Sequence, residues 1–197
     1  MECIDEYGNV LNYNCIETTE QQQVKEFIKS TDRVLELGAR WGGVAITTNK
    51  ILDNKTQHYV VEPDYRVWRA LEFNKEHNNC EFNIIKGVIS KKDLQLDFSD
   101  KRYSGMATFT TEATSLSTCD SIALNDIDCD FNVLLADCEG FLEDFYDENK
   151  DFFKQLRCII LEKDRPEYCD YDRLAKEFIN LGFVEKVSGT HCVYLKI

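Results

Sequence analysis

Proline is scarce: Pro63 and Pro166 are the only two in 197 residues, and each follows a short apolar run. No stretch rich in Pro, Gly or Ser divides the chain, and no repeat or low-complexity segment is visible, so nothing marks a linker. No run of about 18 apolar residues occurs, which leaves no candidate for a membrane-spanning helix. Cations are scattered, with no run longer than a pair such as Lys91-Lys92, while the formal net charge is -13. A field of that sign repels phosphate backbones and anionic lipid, so neither nucleic-acid binding nor membrane insertion is expected. The opening MECIDEYGNV is acidic and polar, unlike a secretory signal.

Cysteine, by contrast, is abundant. Cys3, Cys15, Cys80, Cys119, Cys129, Cys138, Cys158, Cys169 and Cys192 form no CxxC pair and no regular framework. That spacing disfavours a structural zinc site, and runs such as LRCIILE place thiols in apolar strands. The expectation is reduced, mostly buried thiols in a cytoplasmic protein. At 43% apolar residues the chain is globular. Its length suits one domain over 1–197, with 1–30 as an N-terminal lead and helix and 31–197 as the core.

Short apolar runs alternate with amphipathic stretches. Helical spacing covers 19–30 with a threonine cap, 42–53, 64–77, 140–153 and 171–183, the last ending at Gly182. Strands are expected at 33–37, 58–62, within 81–89, at 131–137 and at 156–162. DLQLDFS reads as a half-exposed strand that GMATFTT pairs with, and SIALND as a helical turn or two. FVEKVSGTHCVYLKI closes the chain as a hairpin through Ser188-Gly189. Five strand-then-helix units imply a mostly parallel sheet with helices on both faces, ending in an antiparallel hairpin.

Ligands of such sheets bind beyond the carboxyl ends of the strands. That rim gathers Glu36 with Gly38-Ala39-Arg40-Trp41-Gly42, then Glu62-Pro63, Gly87-Val88, Asp137-Cys138-Glu139-Gly140 and Glu162. The antiparallel last strand brings His191 to the same edge. The turn reads E-x-G-x-x-x-G, and glycine lets a ligand approach the backbone closely. Glu62, ending the next strand, is placed to accept hydrogen bonds from a ribose diol. A pyrophosphate cofactor prefers G-x-G-x-x-G, but Arg40 stands where the second glycine would fall. Glu36 before the turn repels pyrophosphate and suits a cationic amino or sulfonium group. The pattern points to S-adenosylmethionine and away from a dinucleotide.

VLELGARWGG, VVEPD and the closing hairpin resemble the class I S-adenosylmethionine-dependent methyltransferases. FNVLLADCEGFLEDFYDENKDFFKQLRCIILEKD resembles their FkbM-like branch, with a strand ending in D-x-E-G, an acidic helix and a strand ending in E. The resemblance covers about residues 31–197. It departs where the branch carries aspartate and G-A-N, here Glu36 and Gly38-Ala39-Arg40. It implies a Rossmann-like seven-stranded sheet and an O-methyltransferase acting on a small hydroxylated acceptor, with a sugar or glycan as the expected class.

A hydroxyl holds its proton tightly, so a general base or a divalent metal is expected at the rim. Asp137, Glu139 and His191 are the candidate catalytic residues. Asp137, Glu162 and His191 are the candidate ligands for Mn²⁺ or Mg²⁺. Glu36, Gly38, Ala39, Arg40, Gly42, Glu62, Pro63, Gly87, Val88 and Asp137 are expected to line the cofactor seat. Each also has a plainer reading: Asp137 and Glu139 as helix-start acids, Glu162 as a surface acid paired with Lys163, His191 as a turn residue. Segment 99–119 is placed to cover the acceptor or to form a plain hairpin. Trp68 and Phe73 read as core. Two other functions stay open: N-methylation of a protein or small molecule, and a methyltransferase-like binding module without turnover.

Overall fold

The computed structural model describes residues 2–97, 108–109 and 116–197. Its centre is a seven-stranded sheet of β1 (Val34–Leu37), β2 (His58–Glu62), β3 (Asn83–Lys86), β4 (Val133–Ala136), β5 (Cys158–Glu162), β6 (Phe183–Val187) and β7 (His191–Lys196). The spatial order is β6-β7-β5-β4-β1-β2-β3. β1 to β5 run parallel, and β7 runs antiparallel to both of its neighbours. VLEL and VLLA are buried at every position, as strands covered on both faces must be.

Alternation along β1 divides the core. Leu35 and Leu37 face one layer, with Phe145, Phe153 and Phe178 of the helices α4 to α6 defined below. Val34 faces the other, with Val24 and Ile28, while Ala45, Ile46 and Leu71 pack beneath Val60 and Phe82. Helices α1 (Thr18–Phe27), α2 (Gly43–Ile51) and α3 (Trp68–His77) therefore cover one face; α4 (Leu142–Glu148), α5 (Lys150–Gln155) and α6 (Tyr171–Asn180) cover the other. All nine cysteines are free thiols, and the six that are buried fill core. Among the described residues no helix is long and apolar enough to cross a membrane.

Several local expectations are corrected. α1 starts after Glu17, a left-handed residue with no side-chain cap bond, so a threonine does not cap it. Residues 64–67 form a turn, and α3 begins at Trp68. Helix 140–153 breaks at Asn149 into α4 and α5. Within 81–89 the chain leaves the main sheet at Gly87, where a Cβ would overlap the Asp120 carbonyl oxygen. Val88–Ile89 then pairs in parallel with Ser121–Ile122, so SIALND starts as a strand and turns into a 3-10 helix at Leu124–Asp126. Thr108–Phe109 does pair with Asp97 and Leu96; most of the proposed acceptor cover, 99–119, lies outside the described residues. Phe73 is not core: it is 43% exposed and stacks on His77. Trp68 is partly buried and donates its indole N–H to the Glu62 carbonyl.

Residues 2–17 are built onto the turn that follows β1. A small hairpin, Cys3–Ile4 with Val10–Leu11, is gripped by Asn74 of α3. The Asn74 amide exchanges hydrogen bonds with the Ile4 backbone at 2.8 and 2.9 Å and donates to the Trp41 carbonyl at 2.9 Å. The Trp41 indole donates to Glu6 at 2.7 Å, and the Tyr13 hydroxyl to the Gly43 carbonyl at 3.1 Å.

Candidate functional site at the carboxyl ends of the strands

The turn after β1 is shaped by a close approach to β4. Gly38 has φ +85, and a Cβ there would overlap the Asp137 carbonyl. The Asp137 N–H donates to the Leu37 carbonyl at 3.0 Å, so the two strand ends are laced edge to edge. Arg40 is left-handed (φ 46), and its N–H donates to Glu62 at 2.6 Å. The other Glu62 oxygen accepts from the Asp64 N–H at 2.8 Å. Glu62, 2% exposed, thereby clips the end of β2 to the β1 turn. Ala39 is buried in the core layer under α2, and Gly42, left-handed, leads into that helix.

Two cavities open here. The first occupies about 480 Å³ including its mouth and is lined by Leu37, Val61, Val88, Ile89 and Phe141, with Gly38, Glu62, Pro63, Asp64 and Asp137–Glu139. The second is acidic: Glu17, Glu20, Glu36, Asp137 and Glu162 stand among Val24, Val44, Leu135, Ile160 and Leu161. The two share Leu37, Gly38 and Asp137. Gly87 lines neither cavity, while Val88 lines the first.

Glu36 reaches this wall differently from the expectation of a free acid at the rim. It is 3% exposed, and its carboxylate lies 3.0 Å from Nε2 of His58, also fully buried at the start of β2. Glu139 is tied down as well: its carboxylate pairs with Arg165 at 3.0 Å. Its N–H and that of Gly140 donate to Asp164, which also accepts from the Tyr171 hydroxyl. Asp164 thus knits the loops after β4 and β5. Asp137 stands between the cavities, and burial pushes its carboxyl well above the usual range, with Glu162, Asp164, Glu17 and Glu139 adding repulsion. The Arg40 guanidinium lies 3.8 Å over the Trp41 ring, and its buried Nε has no hydrogen-bond partner.

The proposed metal set changes. His191 and Glu162 do meet, as register partners across β5 and β7, at 3.6 Å. The third member is Glu20 of α1, 2.7 Å from His191 Nε2. Asp137 does not belong to that group, whose ligand atoms all lie within 4.8 Å of one another. Asp137 projects between the cavities while Glu20 reaches over from the covering helix.

Glu17 and Glu20 carried no signal in the rim reading, because they belong to the lead. Glu17 immediately precedes α1 and Glu20 lies in its first turn, and both line the acidic cavity. The Glu17 carboxylate accepts from the Val44 amide at the start of α2; burial, then repulsion from Glu36 and Glu20, pushes it up to about 7. Burial pushes Glu62 up to about 8 against its two N–H bonds. Both acids bind protons more tightly folded than unfolded, so their contribution favours the fold less as pH rises from the ordinary glutamate range towards these values. The unliganded chain is expected to melt lower at about pH 8 than at about pH 6, with a cationic ligand narrowing the gap. Thermal melts at the two pH values check this; a higher midpoint at the alkaline value would contradict it.

No protein-family model matches the chain, and no curated protein does. Solved structures do. A precorrin-6y C5,15-methyltransferase from Geobacter metallireducens GS-15 superposes with TM-score 0.59 at 11% identity, covering 93% of this chain and 90% of that one. A ribosomal protein L11 methylase from Lactobacillus delbrueckii subsp. bulgaricus gives 0.54 at 13% identity, over 91% and 78%. An RNA methyltransferase from Salinibacter ruber, solved with S-adenosyl-L-homocysteine, gives 0.50 at 10% identity, over 91% and 90%. The chain has the Rossmann-like fold of the class I S-adenosylmethionine-dependent methyltransferases.

Proposed function

We propose that this chain binds S-adenosylmethionine across the two joined cavities and directs its methyl group to a hydroxyl of a small acceptor, with a sugar or glycan as the class. The observation that carries the reading is the junction itself. An apolar cavity with a buried acid at the end of β2 meets a five-carboxylate cavity at Gly38 and Asp137. The apolar walls suit a purine, Glu62 and Asp64 a ribose diol, and the acids an ammonium and a sulfonium. Gly38 lets the ends of β1 and β4 meet where the two cavities join.

Bound there, S-adenosylmethionine supplies a methyl group already activated by its sulfonium. The remaining work is to align the acceptor oxygen and accept its proton. Asp137 is the group assigned to the proton, since its desolvated carboxyl among other acids is a stronger base than an exposed aspartate. Glu139, held by Arg165, and Asp164 set the shape of the loop carrying Asp137. The Asp137-Cys138-Glu139-Gly140 block, similar to the FkbM-like branch, is what favours a hydroxyl acceptor. The same five carboxylates favour a second reading, N-methylation of a cationic amine. A labelled methyl donor offered to hydroxylated sugars and to amines separates the two. Cofactor binding with no transfer to either would favour a binding module.

Glu62→Ala is expected to weaken binding of S-adenosylhomocysteine by about 1–3 kcal/mol, the scale of a lost hydrogen bond to a charged group. Calorimetry measures it, and an unchanged affinity would remove the ribose assignment.

A further inference from the structure

Three side chains from distant parts of the chain converge beside the acidic cavity, which two of them, Glu20 and Glu162, line. Glu20 comes from α1, Glu162 from the end of β5 and His191 from the start of β7. His191 Nε2 lies 2.7 Å from Glu20 Oε1 and 3.6 Å from Glu162 Oε1, and the three ligand atoms all fall within 4.8 Å of one another. We propose that Glu20, Glu162 and His191 bind one divalent transition-metal cation through two carboxylate oxygens and one imidazole nitrogen. The proposal stands apart from methyl transfer and would survive its failure.

Spacing is the first support. Ligand atoms around an ion bonded at about 2.0–2.2 Å are separated by roughly 3–4.4 Å, so small side-chain movements close this set on an ion. Charge is the second. Glu20 and Glu162 share the cavity with Glu17, Glu36 and Asp137, and no lysine or arginine is among the described lining residues. One imidazole does not balance the carboxylates of Glu20 and Glu162, whereas a divalent ion does. The third support is independent of the acids. Gln23, one turn beyond Glu20, is 6% exposed; its amide nitrogen donates to the His191 carbonyl at 3.3 Å, and its buried Oε1 has no partner. A buried acceptor left unsatisfied beside the cluster is costly unless something donates to it, and a metal-bound water is such a donor. The side chains of His191 and Glu162 remain about a quarter exposed, which leaves positions for water or a substrate oxygen. An imidazole in the set favours Fe²⁺ or Zn²⁺ over Mg²⁺ or Ca²⁺, and the two carboxylates suit Mn²⁺.

The test is Mn²⁺ itself, titrated into the full chain without cofactor and followed by loss of the free-ion electron paramagnetic resonance signal. One ion per chain is expected, displaced by Zn²⁺ more readily than by Mg²⁺. Glu20→Gln and His191→Gln are each expected to weaken uptake by at least about tenfold, with thermal midpoints in chelator close to that of the unaltered chain. Asp137→Asn is expected to weaken uptake far less than either of these substitutions. Absence of Mn²⁺ uptake up to about millimolar concentration, or uptake indifferent to both substitutions, overturns the proposal. Uptake that follows Asp137 instead also overturns it. Calorimetry with S-adenosylhomocysteine on the same samples tests the cofactor reading independently.

Discussion

Gly38→Ala is expected to abolish measurable cofactor binding and to destabilise the chain by about 4 kcal/mol or more. The new Cβ would overlap the Asp137 carbonyl oxygen and stand 2.7 Å from its carbon. These are backbone atoms, so no rotamer change relieves the clash. The ends of β1 and β4 must part, and the hydrogen bond from Asp137 to Leu37 goes with them. Both cavities share Gly38 and Asp137, so both lose a wall. The left-handed backbone adds roughly 1–2 kcal/mol of strain. For a chain of this size the melting midpoint should fall by about 8–16 °C. Gly8→Ala is the matched control, because Gly8 has φ +84 but nothing within 4 Å of a Cβ; it carries the strain without the clash. Thermal melts of the two variants, with calorimetry for the cofactor, decide the matter. A Gly38→Ala chain as stable as Gly8→Ala would show that the strands separate at little cost.

The second large effect concerns chemistry. Asp137→Asn should lower kcat by about 10²–10⁴-fold, the usual worth of a positioned acid or base, while changing cofactor affinity by less than about tenfold. Asparagine keeps the size and the backbone contacts to Gly38 and Leu37 but cannot accept a proton. The raised proton affinity of Asp137 comes first from burial and then from Glu162, Asp164, Glu17 and Glu139. A cationic ligand in the acidic cavity offsets that repulsion and lowers it. Single-turnover assays with a labelled donor separate the two quantities. Near-normal turnover by Asp137→Asn would take this residue out of the reaction and move attention to the Glu20, Glu162 and His191 group.

The parallel sheet and its closing hairpin were legible from residue pattern alone. VLEL, HYVVE, VLLA and CIILE are short, apolar and β-branched, and the stretches between them carry helical spacing, so local propensity and burial agree. Because strands alternate with helices, their carboxyl ends had to share one edge, and Glu62, Asp137, Glu162 and His191 could be placed there by counting. Boundaries slipped where tertiary contacts override propensity: the helix broken at Asn149, the strand leaving the main sheet at Gly87, and Phe73 stacked on His77 at the surface.

The sequence by itself determined the topology and which strand ends meet, since period and order are local properties of the chain. Only the tertiary structure decided what each acid at that edge does. Glu36 turns back to a buried histidine, Glu139 is held by Arg165, and Glu17 and Glu20 arrive from the start of a helix that precedes the sheet, one just before it and one in its first turn. The physical reason is that a side chain's role rests on its direction and its neighbours in space. A contact between Glu20 and His191 spans more of the chain than any spacing rule can see.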